Sequence, residues 1–255
     1  MQFDRKIFFD SVRPALFGGK LSQQQVDGMN SILLEWERDH PTWDLRWLAY
    51  ALATTKHETA STMWPIEEYG KGSGQPYGEP DPVTGEAYYG RGFVQLTWAD
   101  NYKKADKELG LQQELSCYWH PVNALNTAIA ADIMFLGMHE GWFRKGQTFA
   151  KYFSDKANDA YGAREIINGD KTYKPKWANG QTIGNIIAGY HKSFLGALEA
   201  SKTEVEPQAV ATKPTAPADD PSSRLPDLPA QDYDRLVEML HSVARMLGLK
   251  ITERT

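Results

Sequence analysis

The sequence lacks three features, and each absence narrows the range of functions. Cys117 is the only cysteine among 255 residues, so no internal disulfide can form, as in many proteins that mature in the cytosol. The net charge is -5, without the basic excess of a nucleic-acid-binding protein. No stretch approaches the ~20 apolar residues of a membrane helix, and the first residues do not resemble a signal peptide. We therefore expect a chain made in the cytoplasm, with no transmembrane segment and no nucleic acid as partner.

Apolar residues are present in number, and their spacing is mostly helical. A hydrophobic content of 41%, with eight Trp and twelve Tyr, suffices for one sizeable core. Ser22 followed by Gln25 is a capping-box pattern, and Gly110 is a typical helix end. The pattern predicts a mainly α protein with minor β content, in which 93–96 is a brief strand or an extended piece. Its helices are expected at 3–17, 23–39, 44–57, 98–109, 123–140, 149–153, 157–167 and 183–198.

The composition changes near residue 200, which predicts three parts. Residues 1–200 are expected to form a catalytic domain. Residues 201–230 are rich in Pro, Ala and Thr, which is typical of a flexible linker. Residues 231–255 are predicted to contain an amphipathic helix with one apolar stripe, formed by Leu236, Leu240, Val243 and Leu247. Because so short a helix is marginal alone, we expect self-association or docking on the first domain through 231–249.

His57 and Glu58 end the helix predicted at 44–57, and they are the first candidates for chemistry. Hydrolysis of a glycosidic bond needs one carboxylic acid as proton donor and a second carboxylate as base or nucleophile. Glu58 follows an apolar stretch that could shelter an acid, although a solvated glutamate at a helix end would give the same pattern. A zinc protease pattern would need a second histidine at position 61, which is serine. No metal and no cofactor are therefore expected, and Cys117 has no nucleophile signature around it.

A second candidate segment runs from Tyr88 to Trp98 and contains Tyr89-Gly90-Arg91-Gly92. Its glycines allow a ligand or a second segment of chain to approach closely. Gln95 and Thr97 would lie on the same side of an extended chain, where both could hold water or a sugar hydroxyl. A purely structural turn with an arginine ion pair explains the same residues equally well.

Taken together, these motifs resemble glycoside hydrolase family 19, which includes chitinases and lysozyme-like endolysins of bacteriophages. The resemblance covers roughly residues 45–195 and rests on His57-Glu58-Thr59, on 88–98, on Asn101-Tyr102 and on Ile166-Ile167-Asn168-Gly169. It implies a lysozyme-like, two-lobed helical domain with a cleft, and an inverting reaction with Glu58 as general acid. It also implies substrate contacts by a set of residues that comprises His57, Glu67, Tyr89, Arg91, Gln95, Thr97, Asn101 and Asn168.

The chain departs from the family pattern in two places. Chitinases of the family usually carry glycines after His-Glu-Thr, whereas Ala60 and Ser61 follow here. Residues 65–70, Pro-Ile-Glu-Glu-Tyr-Gly, are more similar to the phage branch, which makes Glu68 the expected general base. Glu67, Glu79 and Glu86 remain open alternatives for that role.

The resemblance implies a phage-type endolysin that hydrolyses the glycan strand of peptidoglycan and thereby lyses the cell wall. Such a protein would be made in the host cytoplasm and reach the wall after release by another factor. A chitinase on the same scaffold is the enzymatic alternative. An inactive sugar-binding or structural virion protein is the non-enzymatic alternative, although intact Glu58, Gln95, Thr97 and Asn101 argue against it.

Overall fold

The computed structural model describes residues 1–203, and the mainly α prediction is confirmed for them. The expected linker and C-terminal helix, as well as the contacts predicted for 231–249, lie outside these residues. Three short antiparallel pairs, β1 with β6, β2 with β3 and β4 with β5, are the strands of this part of the chain. The elements are α1 (Arg5–Leu16), α2 (Gln23–Asp39), α3 (Leu45–Glu58), α4 (Ala99–Leu109), α5 (Thr127–Glu140), α6 (Phe149–Tyr152), α7 (Ile183–Ser201), β1 (Gln2–Phe3), β2 (Ile66–Glu67), β3 (Arg91–Gly92), β4 (Phe153–Ser154), β5 (Ala157–Asn158) and β6 (Lys202–Thr203).

Local signals set several helix ends where the sequence places them. Ser22 Oγ accepts a hydrogen bond from the Gln25 backbone N–H at 3.2 Å, and the Gln25 side chain accepts one from the Ser22 N–H at 2.9 Å. This reciprocal pair is the predicted capping box, and it fixes the start of α2. Gly110 ends α4 in the left-handed conformation, at φ 64°.

Helix α3 is the central element of the fold. It is buried from Leu48 to Lys56 and packs against α7, which also packs against α1, while α2 packs against α5. An almost continuously buried helix reads as an apolar run rather than as an amphipathic stripe. This packing fixes the C-terminal end of α3, and with it the position of Glu58.

Two predicted elements are wrong, for local reasons. Residues 157–167 do not form a helix, because β5 pairs with β4 and a 3-10 turn follows at Gly162–Ile166. There the Asp159 carboxylate accepts the Gly162 N–H at 2.7 Å, an alternative to helical bonding that Asp often takes. Residues 93–96 are not a strand either. They form a tight turn, closed by two backbone hydrogen bonds between Arg91 and Leu96 at 3.1 and 2.8 Å.

The other boundaries shift by a few residues. Helix α1 begins after Asp4, which caps it, because Gln2–Phe3 is drawn into the pairing with β6. The helix expected from residue 123 begins at Thr127, since Asn126 caps it and a 3-10 turn precedes it. Within residues 1–203, no helix combines the length and the apolar character that crossing a membrane requires.

Candidate active site

A cleft of about 350 Å³ lies beside the end of α3. Five of the sequence-predicted residues line it together, although they come from three separate segments of the chain: Glu58, Gln95, Thr97, Asn101 and Asn168. Its other walls come from residues to which the sequence assigned no role: Val94, Trp98, Phe143, Arg144 and Ile167. One carboxylate, three side-chain amides, one hydroxyl and a half-exposed tryptophan make this a polar site with an aromatic wall.

Glu58 is held by an ion pair rather than by the semi-apolar setting expected of a proton donor. Its carboxylate contacts the guanidinium of Arg164, a side chain that is 3% exposed. The same guanidinium donates to Asp170 at 2.6 and 3.1 Å, so it is divided between two carboxylates. Burial opposes ionisation of Asp170, but Arg164 outweighs it, and the pKa of Asp170 lies below its usual range. The one guanidinium of Arg164 therefore serves two carboxylates, Glu58 and Asp170.

The chain turns sharply after Glu58 and takes left-handed backbone at three residues that carry a Cβ. Ala60 has φ 48°, Ser61 φ 66° and Met63 φ 55°. Left-handed backbone costs roughly 1–2 kcal/mol for a residue with a Cβ. Thr59 stabilises the turn from inside, because its hydroxyl accepts the Met63 N–H at 3.1 Å and donates to the Thr55 carbonyl.

The glycines of the second motif allow chain segments to approach each other. A Cβ on Gly90 would lie 2.8 Å from Gln95 Oε1, and one on Gly92 would lie 2.9 Å from the Ala124 carbonyl oxygen. Gln95 has φ 55°, and its amide donates to the carbonyls of Ile66 at 3.1 Å and Gly92 at 3.3 Å. Gln95 thus ties the turn to both strands of the β2–β3 pair while it also lines the cleft. Of the two uses proposed for the glycines, the structure supports close approach of a second segment.

Thr97 and Asn101 present polar groups to the cleft from the start of α4. The Asn101 amide donates to the Thr97 backbone carbonyl at 2.8 Å, which orients the side chain and leaves its oxygen available. Within residues 1–203 the Thr97 hydroxyl makes no hydrogen bond. A half-buried hydroxyl without a partner in a polar cleft is suited to holding a water molecule or a sugar hydroxyl.

Tyr89, Arg91 and Glu67 lie behind the cleft rather than in its lining. Arg91 is 5% exposed, and its guanidinium lies 3.7 Å from the centre of the Tyr89 ring. Glu67 accepts from the Tyr89 hydroxyl at 2.6 Å and from Arg91 at 3.3 Å, and Lys71 contacts it at 3.2 Å. The Tyr89 hydrogen bond is the main cause that holds the pKa of Glu67 below its usual range. These three residues stabilise the Tyr89–Gly92 turn, as expected if the motif is a structural turn with an arginine ion pair.

The remaining predicted residues, His57, Glu68, Glu79 and Glu86, do not line the cleft. Glu68 accepts the Gly90 N–H at 3.1 Å and the Tyr77 hydroxyl at 3.4 Å, and the Tyr77 ring packs edge-on against Trp98 at 5.2 Å. Glu79 and Glu86 are exposed, and neither lines the cleft. His57 is also outside the lining, and burial lowers its pKa. Of the four candidate bases, Glu67 and Glu68 are the two that directly follow Ile66 in the chain, and Gln95 contacts the Ile66 carbonyl.

Sequence reasoning missed Arg164, Asp170 and the aromatic wall. Arg164 precedes Asn168 by four residues, and its carbonyl accepts the Asn168 N–H at 3.0 Å, so both residues belong to one turn. The sequence offered one signal for Arg164, since it is a basic residue four positions before Asn168, a predicted cleft residue. Trp98 stands inside the motif, and its 49% exposure with φ 73° shows that it is a wall of the cleft rather than part of the core.

Acidic side chains that could approach a common cation occur elsewhere in the described residues. Glu35, Asp39 and Asp132 bring their oxygens together, but Arg38 contacts all three and offsets part of their charge. Burial and neighbouring Glu35 raise the pKa of Asp132 to about 7. This cluster is separate from the cleft, and the cleft itself offers Glu58 as its one carboxylate.

No protein-family model matches the chain, and no curated protein sequence does. Solved structures with similarity to it include chitinase C from Streptomyces griseus, at TM-score 0.49 and 20% identity over 79% of each chain. A bacterial family 19 chitinase has TM-score 0.43 and 21% identity, over 77% of this chain and 94% of that one. A class IV chitinase of the same family from Zea mays has TM-score 0.47 and 19% identity, over 74% and 94%. At these values the function has to be argued from the residues of the cleft.

Proposed function

We propose that the protein is a glycoside hydrolase that cleaves the glycan strand of peptidoglycan with inversion. The observation that carries the proposal is the cleft in which Glu58, paired with Arg164, faces Gln95, Thr97, Asn101 and Asn168. Amides and a free hydroxyl suit the hydroxyl and acetamido groups of amino sugars, and the Trp98 ring can stack on a sugar face. Glu58 then donates a proton to the glycosidic oxygen as general acid.

The proposed base is Glu68. An inverting enzyme places its carboxyl groups about 6.5–9.5 Å apart, with room for the attacking water between them. Glu67 is engaged with Tyr89, Arg91 and Lys71, whereas Glu68 accepts one backbone N–H and one long hydrogen bond from Tyr77. A carboxylate with fewer donors is the better proton acceptor. Tyr77 links Glu68 to Trp98, which lines the cleft.

Glu58→Gln tests the acid. The amide is nearly isosteric and cannot donate the required proton, so hydrolysis of purified cell walls should fall about 10²–10⁴-fold in a folded variant. Turnover near that of the wild type would reject the site assignment. NMR of the initial product should show the inverted anomer, and retention of configuration would reject the mechanism.

Glu68→Gln and Glu67→Gln form a matched pair for the base. Glu68→Gln should lose activity on the same scale as Glu58→Gln and keep its unfolding midpoint. Glu67→Gln should mainly lower stability, because it weakens the contacts with Arg91 and Lys71. The reverse pattern, with activity lost only in Glu67→Gln, would transfer the role to Glu67.

Chitin is the second candidate substrate, because chitin and peptidoglycan share N-acetylated amino sugars and differ in the lactyl groups of peptidoglycan. Turbidity loss of permeabilised bacterial cells, measured beside hydrolysis of chitin oligomers, separates the two. We further propose that the protein acts on the wall after release by another factor. Hydrolysis of chitin oligomers without any turbidity loss would make the protein a chitinase.

A further inference from the structure

A second cavity, of about 540 Å³, adjoins the other side of α3. The end of α1, one face of α7 and the segment 177–181 form its walls, and we call it the Lys56 groove. Lys56 and Glu58 are two residues apart on a helix, which places their side chains about 200° apart around its axis. None of the residues that line the groove also lines the catalytic cleft.

The Lys56 ammonium lies in this groove without a counter-charge. It donates to Ser61 Oγ at 2.8 Å and lies 4.5 Å from the centre of the Phe17 ring and 4.9 Å from that of Tyr190. The residue is 6% exposed, and throughout residues 1–203 no carboxylate forms an ion pair with it. Burial accordingly lowers the pKa of its amine. A buried cation is costly unless it is paired, so an anionic group that entered the groove would be favoured.

The rim of the groove carries the groups that bind sugars. Trp177 is 65% exposed, although tryptophan usually hides most of its ring. Asn179, Gln181 and Asn185 surround it with exposed side-chain amides. An aromatic face stacks on a pyranose ring, and amides donate to and accept from hydroxyl and acetamido groups.

We propose that the Lys56 groove is a second glycan-binding site, specific for a saccharide that carries a carboxylate. The carboxylate binds the Lys56 ammonium, and the sugar ring lies against Trp177. In peptidoglycan this carboxylate is the lactyl group of N-acetylmuramic acid, which chitin lacks. The choice of this acidic sugar rests on the proposed function, whereas the groove's affinity for an acidic saccharide does not depend on catalysis by Glu58.

Gly189 offers a way to fill the groove without disturbing the fold. It lines the groove from α7, and a Cβ built on it meets no atom within 4 Å. Gly189→Leu therefore places a side chain in open space within a helix, where leucine is favoured over glycine. Gly196 lies on the same helix, is exposed, has the same freedom and does not line the groove, so Gly196→Leu is the matched control.

The experiment is calorimetric titration of the full chain carrying Glu58→Gln, which prevents turnover. The probes are the disaccharide of N-acetylglucosamine and N-acetylmuramic acid, the neutral disaccharide chitobiose, and acetate. A charge-assisted hydrogen bond predicts about tenfold or greater preference for the muramic disaccharide. Gly189→Leu should abolish this preference and Gly196→Leu should keep it. Lys56→Met should remove the preference and retain the binding of chitobiose.

Three results would overturn the proposal. Equal affinity for both disaccharides, or a preference that survives Gly189→Leu and Lys56→Met, would leave Lys56 a structural cation held by its two rings. Acetate that binds as tightly as the muramic disaccharide would reduce the groove to an anion site without sugar recognition. A wild-type protein that cleaves no glycan but shows the preference would reject the proposed function and keep this site.

Discussion

At the scale of single residues, the cleft separates groups that support it from groups that are free to act. Gln95 does both, because its amide ties Ile66 and Gly92 together while it faces the cleft. Alanine at Gln95 should therefore lower stability as well as activity. Thr97 differs, since its hydroxyl makes no hydrogen bond in the described part of the chain. It provides the sharper test of a direct role in binding water or substrate.

Thr97→Val removes that hydroxyl with little change in volume. We expect kcat/KM on cell walls to fall about tenfold, which corresponds to one hydrogen bond of about 1.4 kcal/mol. The urea midpoint should stay that of the wild type, because no contact within the protein is lost. Thr97→Ser keeps the hydroxyl and should retain activity. A lowered midpoint with unchanged kcat/KM would assign Thr97 to the structural turn.

At the scale of elements, the position of Glu58 depends on how α2 meets the loop after α3. Gly28 is buried within α2, and a Cβ built on it would lie 1.7 Å from the Met63 carbonyl oxygen. The missing side chain thus lets the loop that follows Glu58 cross the helix closely. Glycine in the middle of a helix is otherwise unfavourable by roughly 0.5–1 kcal/mol relative to alanine.

Gly28→Ala should therefore destabilise the protein, although alanine is favoured over glycine within a helix. The added methyl group has to displace backbone, and overpacking of this kind typically costs about 1–3 kcal/mol. Gly196→Ala, exposed on α7 with open space around its Cβ, should instead raise the unfolding free energy by up to about 1 kcal/mol. Urea denaturation of both variants measures whether each substitution lowers or raises the unfolding free energy. A stabilised Gly28→Ala would show that the loop does not cross α2 as described.

At the scale of the whole molecule, buried histidines make stability depend on pH. His191 is 5% exposed, its Nε2 has no hydrogen-bond partner within residues 1–203, and it stacks on Phe153 at 5.0 Å. Burial lowers its pKa to about 4, against about 6.5 in an unfolded chain. Between these values the unfolded state binds a proton that the folded state does not. The unfolding free energy therefore falls as the pH drops from 6.5 to 4, by about 3 kcal/mol at most.

His191→Phe should remove this loss. The variant should gain stability relative to the wild type as the pH falls from 7 to 4, by up to about 3 kcal/mol, measured by urea denaturation at each pH. Comparing the two profiles cancels Asp132, whose pKa of about 7 contributes with the opposite sign. His120 is exposed, and its replacement by Phe is the control that should follow the wild-type profile. Parallel profiles for His191→Phe and the wild type would mean that folding leaves the pKa of His191 unchanged.

The sequence by itself determined what depends on neighbours along the chain. The capping box at Ser22, the left-handed end at Gly110 and the long apolar runs predicted most helices, because these signals act within a few residues. The spacing of residues in the motifs, read together with the family resemblance, also selected Glu58, Gln95, Thr97, Asn101 and Asn168, which the fold brings into one cleft.

Only the tertiary structure decided what depends on residues far apart in the chain. Arg164 reaches Glu58 across 106 residues, and no local pattern encodes that contact. The close approach of Gly28 to Met63 likewise joins segments that are far apart in the chain. Lys56 is a third case, because its charge lies without a counter-charge only where α1 and α7 enclose it. The turn at 93–96 is a local exception, because the two hydrogen bonds that close it join Arg91 and Leu96 within one short segment. Packing between distant segments sets burial, and burial sets the chemistry of a charged side chain.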